Sequence, residues 1–166
     1  MSGAVDLPPA GVHTLVLMTR CPECGAPVRP HSCEDLFNVV LALDHSRRPP
    51  WGPLHGVTAA CFLLQHPSRL PAPHRARPWA ILHTYLNDGL TAVTPLTERL
   101  RRANSHQNRH VALPDIGAVA PALGPTPTAF SVTINDVAQD GTFPAVGFPN
   151  RVKAWAMATV AGLRSP

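Results

Sequence analysis

The sequence predicts a mostly α, small helical domain with an N-terminal zinc knuckle and an antiparallel helix pair. Three observations predict it. Cys21-Pro22-Glu23-Cys24-Gly25 is a metal-binding turn, followed by a lone Cys33. Two helical patterns come next, joined by Ser46-Arg47-Arg48-Pro49-Pro50, a connection short enough to fold one back along the other. At the far end Val152, Trp155, Ala156, Thr159 and Leu163 recur at helical spacing.

Taken in order, residues 1–12 are expected to be loose, and Val12 to Met18 reads as a strand or an extended lead-in. Gly25 lets the chain turn tightly between and after the two cysteines. Ser32 is a good N-cap with Glu34 and Asp35 in the first turn, so a helix is expected over 33–45, with Leu36, Phe37, Val40, Leu41 and Leu43 on its apolar face. Trp51-Gly52-Pro53 opens a second helix carrying Val57, Ala60, Cys61 and Leu64, and Pro67 stops it. A Pro- and Arg-rich loop covers 67–78. A third helix is expected from about Trp79 to Asp88, ended by Gly89, and a fourth over Pro95 to Ala103. Residues 104–127 show no period and are expected to form a mobile loop. Phe130 to Val132 looks extended. Thr133-Ile134-Asn135-Asp136 is a loose capping box that starts a short helical turn. The last helix is expected over Arg151 to Leu163, with Trp155 as a core anchor.

The chain has 166 residues, enough for one domain with a real core that does not need metal in the way a very small finger does. Its 20 prolines shorten helices and lengthen loops, and its Pro, Ala and Arg richness suits a bacterial coding bias. The net charge of +4 and the pI near 9.3 come from scattered arginines without interleaved aromatics, which argues against nucleic-acid binding. No run approaches the roughly 18 apolar residues that span a bilayer. The N-terminus carries no basic region followed by an apolar core, so a cytoplasmic protein is expected. In a reducing compartment, closely spaced cysteines point to metal or redox chemistry rather than a disulfide framework.

Thiolates suit zinc, and Cys-x-x-Cys delivers two sulfurs from one turn. Cys33 adds a third from the positive end of a helix, which favours its thiolate. The expected metal ligands are therefore Cys21, Cys24, Cys33 and His66, because an antiparallel pair sets the start of the first helix beside the end of the second. His55 and His31 remain alternatives to His66, as does water. His55 and His66 lie eleven residues apart, roughly 16 Å along an intact helix, so one ion cannot take both. Cys61 falls on the apolar stripe and is read as core. His45, His74, His106 and His110 fall in loops and read as solvated, while His83 lies within the third helix. A closed Cys3His site is structural, whereas a catalytic site needs an open position and a base. No His-Glu-x-x-His, Gly-x-Ser-x-Gly, phosphate-loop or deaminase pattern occurs.

Several segments together resemble the bacterial domain-of-unknown-function family numbered 5946. They are Cys21-x-x-Cys24-Gly25-Ala26, Cys33 before an apolar helix, His55 through Gln65-His66-Pro67, Thr133 to Val137 and Val152 to Ala156. The resemblance covers about 21–163 and implies that Cys21, Cys24, Cys33, His55 and His66 are signature positions. The family pattern has a histidine at the start of the third helix, where this chain has Pro78 or Trp79, and another before the last helix, where it has Phe148. A pocket built on those histidines would here be lost or rebuilt with His74 or His83.

Three functions are expected from these residues. One is a small zinc metalloenzyme or accessory enzyme acting on a small molecule, with His55 as acid or base. The alternative is a structural-zinc module that binds a protein partner without catalysis. A thiol switch, in which oxidation releases the metal, is a third.

Overall fold

The computed structural model describes residues 19–28, 30–104 and 125–164. The loose residues expected over 1–12, the lead-in expected over 12–18 and residues 105–124 of the expected mobile loop lie outside them, as do His106 and His110. The described residues form six α-helices and no strand: α1 (Cys33–His45), α2 (Trp51–Gln65), α3 (Ala76–Asp88), α4 (Leu90–Asn104), α5 (Ile134–Val137) and α6 (Phe148–Arg164). Two single 3-10 turns, Pro67–Arg69 and Ala72–His74, lead from α2 to α3.

The central element is α2, which α1, α3, α4 and α6 all touch. Its sequence explains this position. Leu54, Val57, Ala60, Cys61, Phe62 and Leu64 are buried on several sides of it, and a helix apolar nearly all round is stable only when covered. Two polar residues on it are buried as well. Gln65 donates through Nε2 to Val132 O and to Thr159 Oγ1, both at 2.9 Å, and so ties α2 to α6. Trp79, Trp155 and Phe148 complete the core at 0–1% exposure. Trp155 is thus the anchor its spacing predicts.

The helix starts show which signals hold. Ser32 caps α1 as expected: its Oγ accepts from Asp35 N at 3.1 Å, and the Asp35 carboxylate accepts from Ser32 N at 3.1 Å. The Asp136 carboxylate accepts from Thr133 N at 2.7 Å and from Thr133 Oγ1 at 2.9 Å, which starts α5. Three boundaries differ from expectation, each because of a proline. α3 begins at Ala76 and holds Pro78 in its first turn; α6 begins at Phe148 and holds Pro149 there. First-turn N–H groups have no helical partner, so proline loses nothing at those positions. α4 starts at Leu90, directly after Gly89, and runs through Pro95 instead of starting at it. The stretch 130–132 is bent rather than strand-like.

The turn between α1 and α2 is very tight. A Cβ on Gly52 would lie 2.5 Å from the Cα and carbonyl carbon of Arg47, which are backbone atoms that cannot rotate away. Gly52→Ala is expected to destabilise the protein by about 2–3 kcal/mol, measured by urea denaturation. Wild-type stability in that variant would show that the turn can open.

Candidate metal centre and adjoining cleft

The knuckle is held by its own backbone. Cys21 N donates to Ala26 O at 2.7 Å, Gly25 N donates to Cys21 O at 2.9 Å, and Gly25 takes φ +78°. Glycine is required twice here, since a Cβ at position 25 would also sit 3.1 Å from Ala129 of the covering segment. That segment is fastened by Phe130 N donating to Cys24 O at 3.1 Å.

Cys21 and Cys24 from this loop, Cys33 from the first turn of α1 and His66 from the end of α2 converge. Their ligand atoms all lie within 4.8 Å of one another. Cys24, Cys33 and His66 are buried at 0%, 5% and 4% exposure. The convergence follows from the antiparallel pairing of α1 and α2, which brings Cys33 level with His66 as expected. His66 is oriented for a metal. Its Nδ1 lies 2.8 Å from Phe62 O, and a carbonyl only accepts, so Nδ1 carries the proton. Nε2 is then a lone-pair donor, buried and without a hydrogen-bond partner among the described residues. A backbone carbonyl holding the far ring nitrogen in this way fixes the tautomer and direction of metal-bound histidines. The His66 ring also stacks on Phe62 at 4.2 Å, and Phe62 stacks on Phe37 at 3.8 Å.

Cys24 Sγ and Cys33 Sγ lie 3.6 Å apart. The hydrogen bond from Cys33 holds Cys24 well below the usual thiol range despite burial, and Cys33 is pushed up correspondingly. Metal binding at this pair would release a proton. The donor set therefore fits a metal ion, with four protein ligands and an unpaired buried nitrogen among them. Glu23 closes the site from outside by accepting from Ser68 N at 2.8 Å and Ser68 Oγ at 2.9 Å, which pins the turn after His66 to the knuckle. Arg69 and Glu34 pair beside it.

The other candidates fall elsewhere. His31 is exposed, against Gly141, where a Cβ would meet its Nε2. Cys61 is fully buried in the core, and burial pushes its thiol up. His83 sits beside Asn87 one turn along α3, with Asn87 Nδ2 3.0 Å from its Nδ1.

His55 is not in the metal cluster. Its Nδ1 donates to Asp44 Oδ2 at 3.1 Å, and Thr58 Oγ1 donates to the same oxygen at 3.1 Å. The Asp44 side chain is 1% exposed while that of His55 is 57% exposed. The hydrogen bond to Asp44 raises the His55 pKa, with burial opposing it. His55 lines a cleft of about 910 Å³ formed by α2, the turn at His74, α3 and α4. Ala59, Leu63 and Ile81 contribute apolar wall, and His74, Arg77 and Glu98 contribute polar groups. His74 is exposed as expected of a loop histidine, yet it borders this cleft. Asp44 as partner of His55, and Arg77, were not singled out from sequence.

No helix among the described residues is long and apolar enough to cross a membrane. No curated protein and no solved structure matches the chain. A family model, that of the family of unknown function DUF5946, matches residues 19–164 and so takes in the knuckle, the helix pair, the cleft and α6. The expected resemblance holds over nearly the whole chain, and the protein belongs to that family.

Proposed function

We propose that the protein is a small zinc enzyme whose ion is structural and whose chemistry is acid–base catalysis on a small molecule by His55. The observation that carries this is the Asp44–His55 pair opening on a cleft separate from the four-ligand cluster. A buried carboxylate that holds Nδ1–H leaves Nε2 to exchange a proton with a bound molecule, the arrangement a general base needs. Three thiolates and one imidazole suit zinc in a closed site. They also make it a weak Lewis acid, so its work here is to pin the knuckle, α1 and α2 together. Cys21, Cys24, Cys33 and His66 would hold it. One of the two family histidine positions points the same way, since Pro78 lines the cleft and His74 borders it nearby, while the other, Phe148, lies in the core. All four cysteines are free thiols, which suits a cytoplasmic setting.

The alternative, a structural-zinc module that binds a protein partner, has one observation in its favour. A shallow groove of about 350 Å³ between α3 and α6 is lined by Leu86, Val160 and Met157, the last 56% exposed.

X-ray absorption at the metal edge of protein purified without added metal tests the division of labour. Zinc with three sulfurs, one nitrogen and no exchangeable oxygen is the expected result. An exchangeable oxygen would move the chemistry onto the ion and sink the reading. Proton NMR titration of His55 supplies the second arm, with a pKa above the ordinary value of about 6.5 expected.

A further inference from the structure

The cleft contains a cation that the fold itself does not employ. Arg47, Arg48 and Arg99 are exposed to solvent, whereas several other arginines of the described structure have clear duties. Arg151, half-buried like Arg77, donates to Val137 O, Pro144 O and Val146 O, each at 2.8 Å. Arg20 bonds Gly25 O, Arg69 pairs with Glu34, and Arg164 lies over the Trp79 ring. Arg77 is half-buried in the cleft wall on α3, and it makes no hydrogen bond or ion pair among the described residues. A guanidinium kept partly from water without a partner is a fork for a carboxylate or phosphate.

The surroundings narrow the choice. Ala59, Leu63 and Ile81 make much of the wall apolar, which favours an organic body over an inorganic ion. The cleft lining holds one arginine and one glutamate, Glu98 on α4, and the buried Asp44 carboxylate behind His55 adds a second negative group at that end. A second negative charge on the ligand would therefore meet repulsion.

We infer that the cleft takes a small organic monocarboxylate, its carboxylate on Arg77 and its apolar body along α2, with its far end against His55. This rests on the proposed catalytic reading only for what happens at His55; the binding itself does not need it.

The test is fluorine NMR of the full-length, metal-loaded chain with para-fluorobenzoate, its neutral amide para-fluorobenzamide, and para-fluorophenyl phosphate. The benzoate is expected to bind at millimolar concentration or below and the amide about tenfold more weakly. Arg77→Gln should weaken the benzoate about tenfold and leave the amide unchanged, and Arg77→Lys should fall between because it keeps the charge but not the fork. Equal binding of acid and amide, indifference to Arg77→Gln, or tighter binding of the phosphate would overturn the inference. So would no binding of the benzoate. The His55 proton resonance in the same samples reports that each variant is folded. An unshifted His55 titration would count against the catalytic reading alone, so the two failures are distinguishable.

Discussion

Cys33→Ser is expected to strip the metal and to lower stability by about 3–5 kcal/mol, which in a chain of this size means a fall in Tm of about 10 °C or more. Cys33 is the donor that joins the parts. Cys21 and Cys24 belong to one loop and His66 to the end of α2, while Cys33 brings in the capped start of α1. Without it, three donors from two elements face the ion, and the buried Cys24 thiolate and His66 Nε2 lose their common partner. The comparison variant is Cys61→Ala. Cys61 is equally buried but packs in the core away from the cluster, so its loss should cost about 1 kcal/mol and no metal. Metal content by plasma spectrometry and melting with and without chelator check both. Chelated wild type should melt like Cys33→Ser, and the variant should be indifferent to chelator. A full equivalent of metal in Cys33→Ser would remove Cys33 from the ligand set.

Much of this site was legible because the helix pair is a hairpin with a fixed register. Cys33 and His66 are equally distant from the Pro49–Pro50 turn, so antiparallel packing sets them side by side. Asp44 and His55 are also equally distant from that turn, and the same register pairs them. The rule that located the fourth ligand thus contained the second site. The pairing is not evident from sequence because Asp44 looks like an ordinary carboxylate near a helix end, where solvation is the usual fate. Helix starts differ from the sequence expectation where a proline lies inside a first turn, as Pro78 and Pro149 do. Arg77 and His74 were illegible for a different reason. The stretch 67–78 reads as a proline-rich loop, and only the two 3-10 turns, the first tied to Glu23 through Ser68, carry it back over α2 to make a wall.

On the proposed reading of His55 as a general base, Asp44→Asn is expected to reduce turnover by about 10²–10⁴-fold and to move the limb of the pH–rate profile to lower pH. The carboxylate accepts the Nδ1 proton of His55 and favours the imidazolium, so the His55 pKa in the fold lies above its unfolded value. A base works in its neutral form, and the rate should rise through that elevated pKa. With asparagine the charge is gone and the limb drops toward or below the ordinary histidine value. The other polar groups bordering the cleft, Arg77 and His74 on one wall and Glu98 on the other, are unchanged and do not account for the shift. Stability has its own sign. A raised histidine pKa contributes stability that is fully present below the unfolded pKa of about 6.5 and is lost as pH rises through the folded value. The stability gap between wild type and Asp44→Asn should therefore be widest in mild acid and narrow above neutrality, leaving a constant part from the Thr58 hydrogen bond. His55→Ala should abolish turnover to the same degree yet retain metal and fold, because His55 is more than half exposed and holds no ligand position. If Asp44→Asn lowers stability uniformly across pH and leaves the rate profile in place, the carboxylate is a buried strut, and His55 is a surface histidine resting on it.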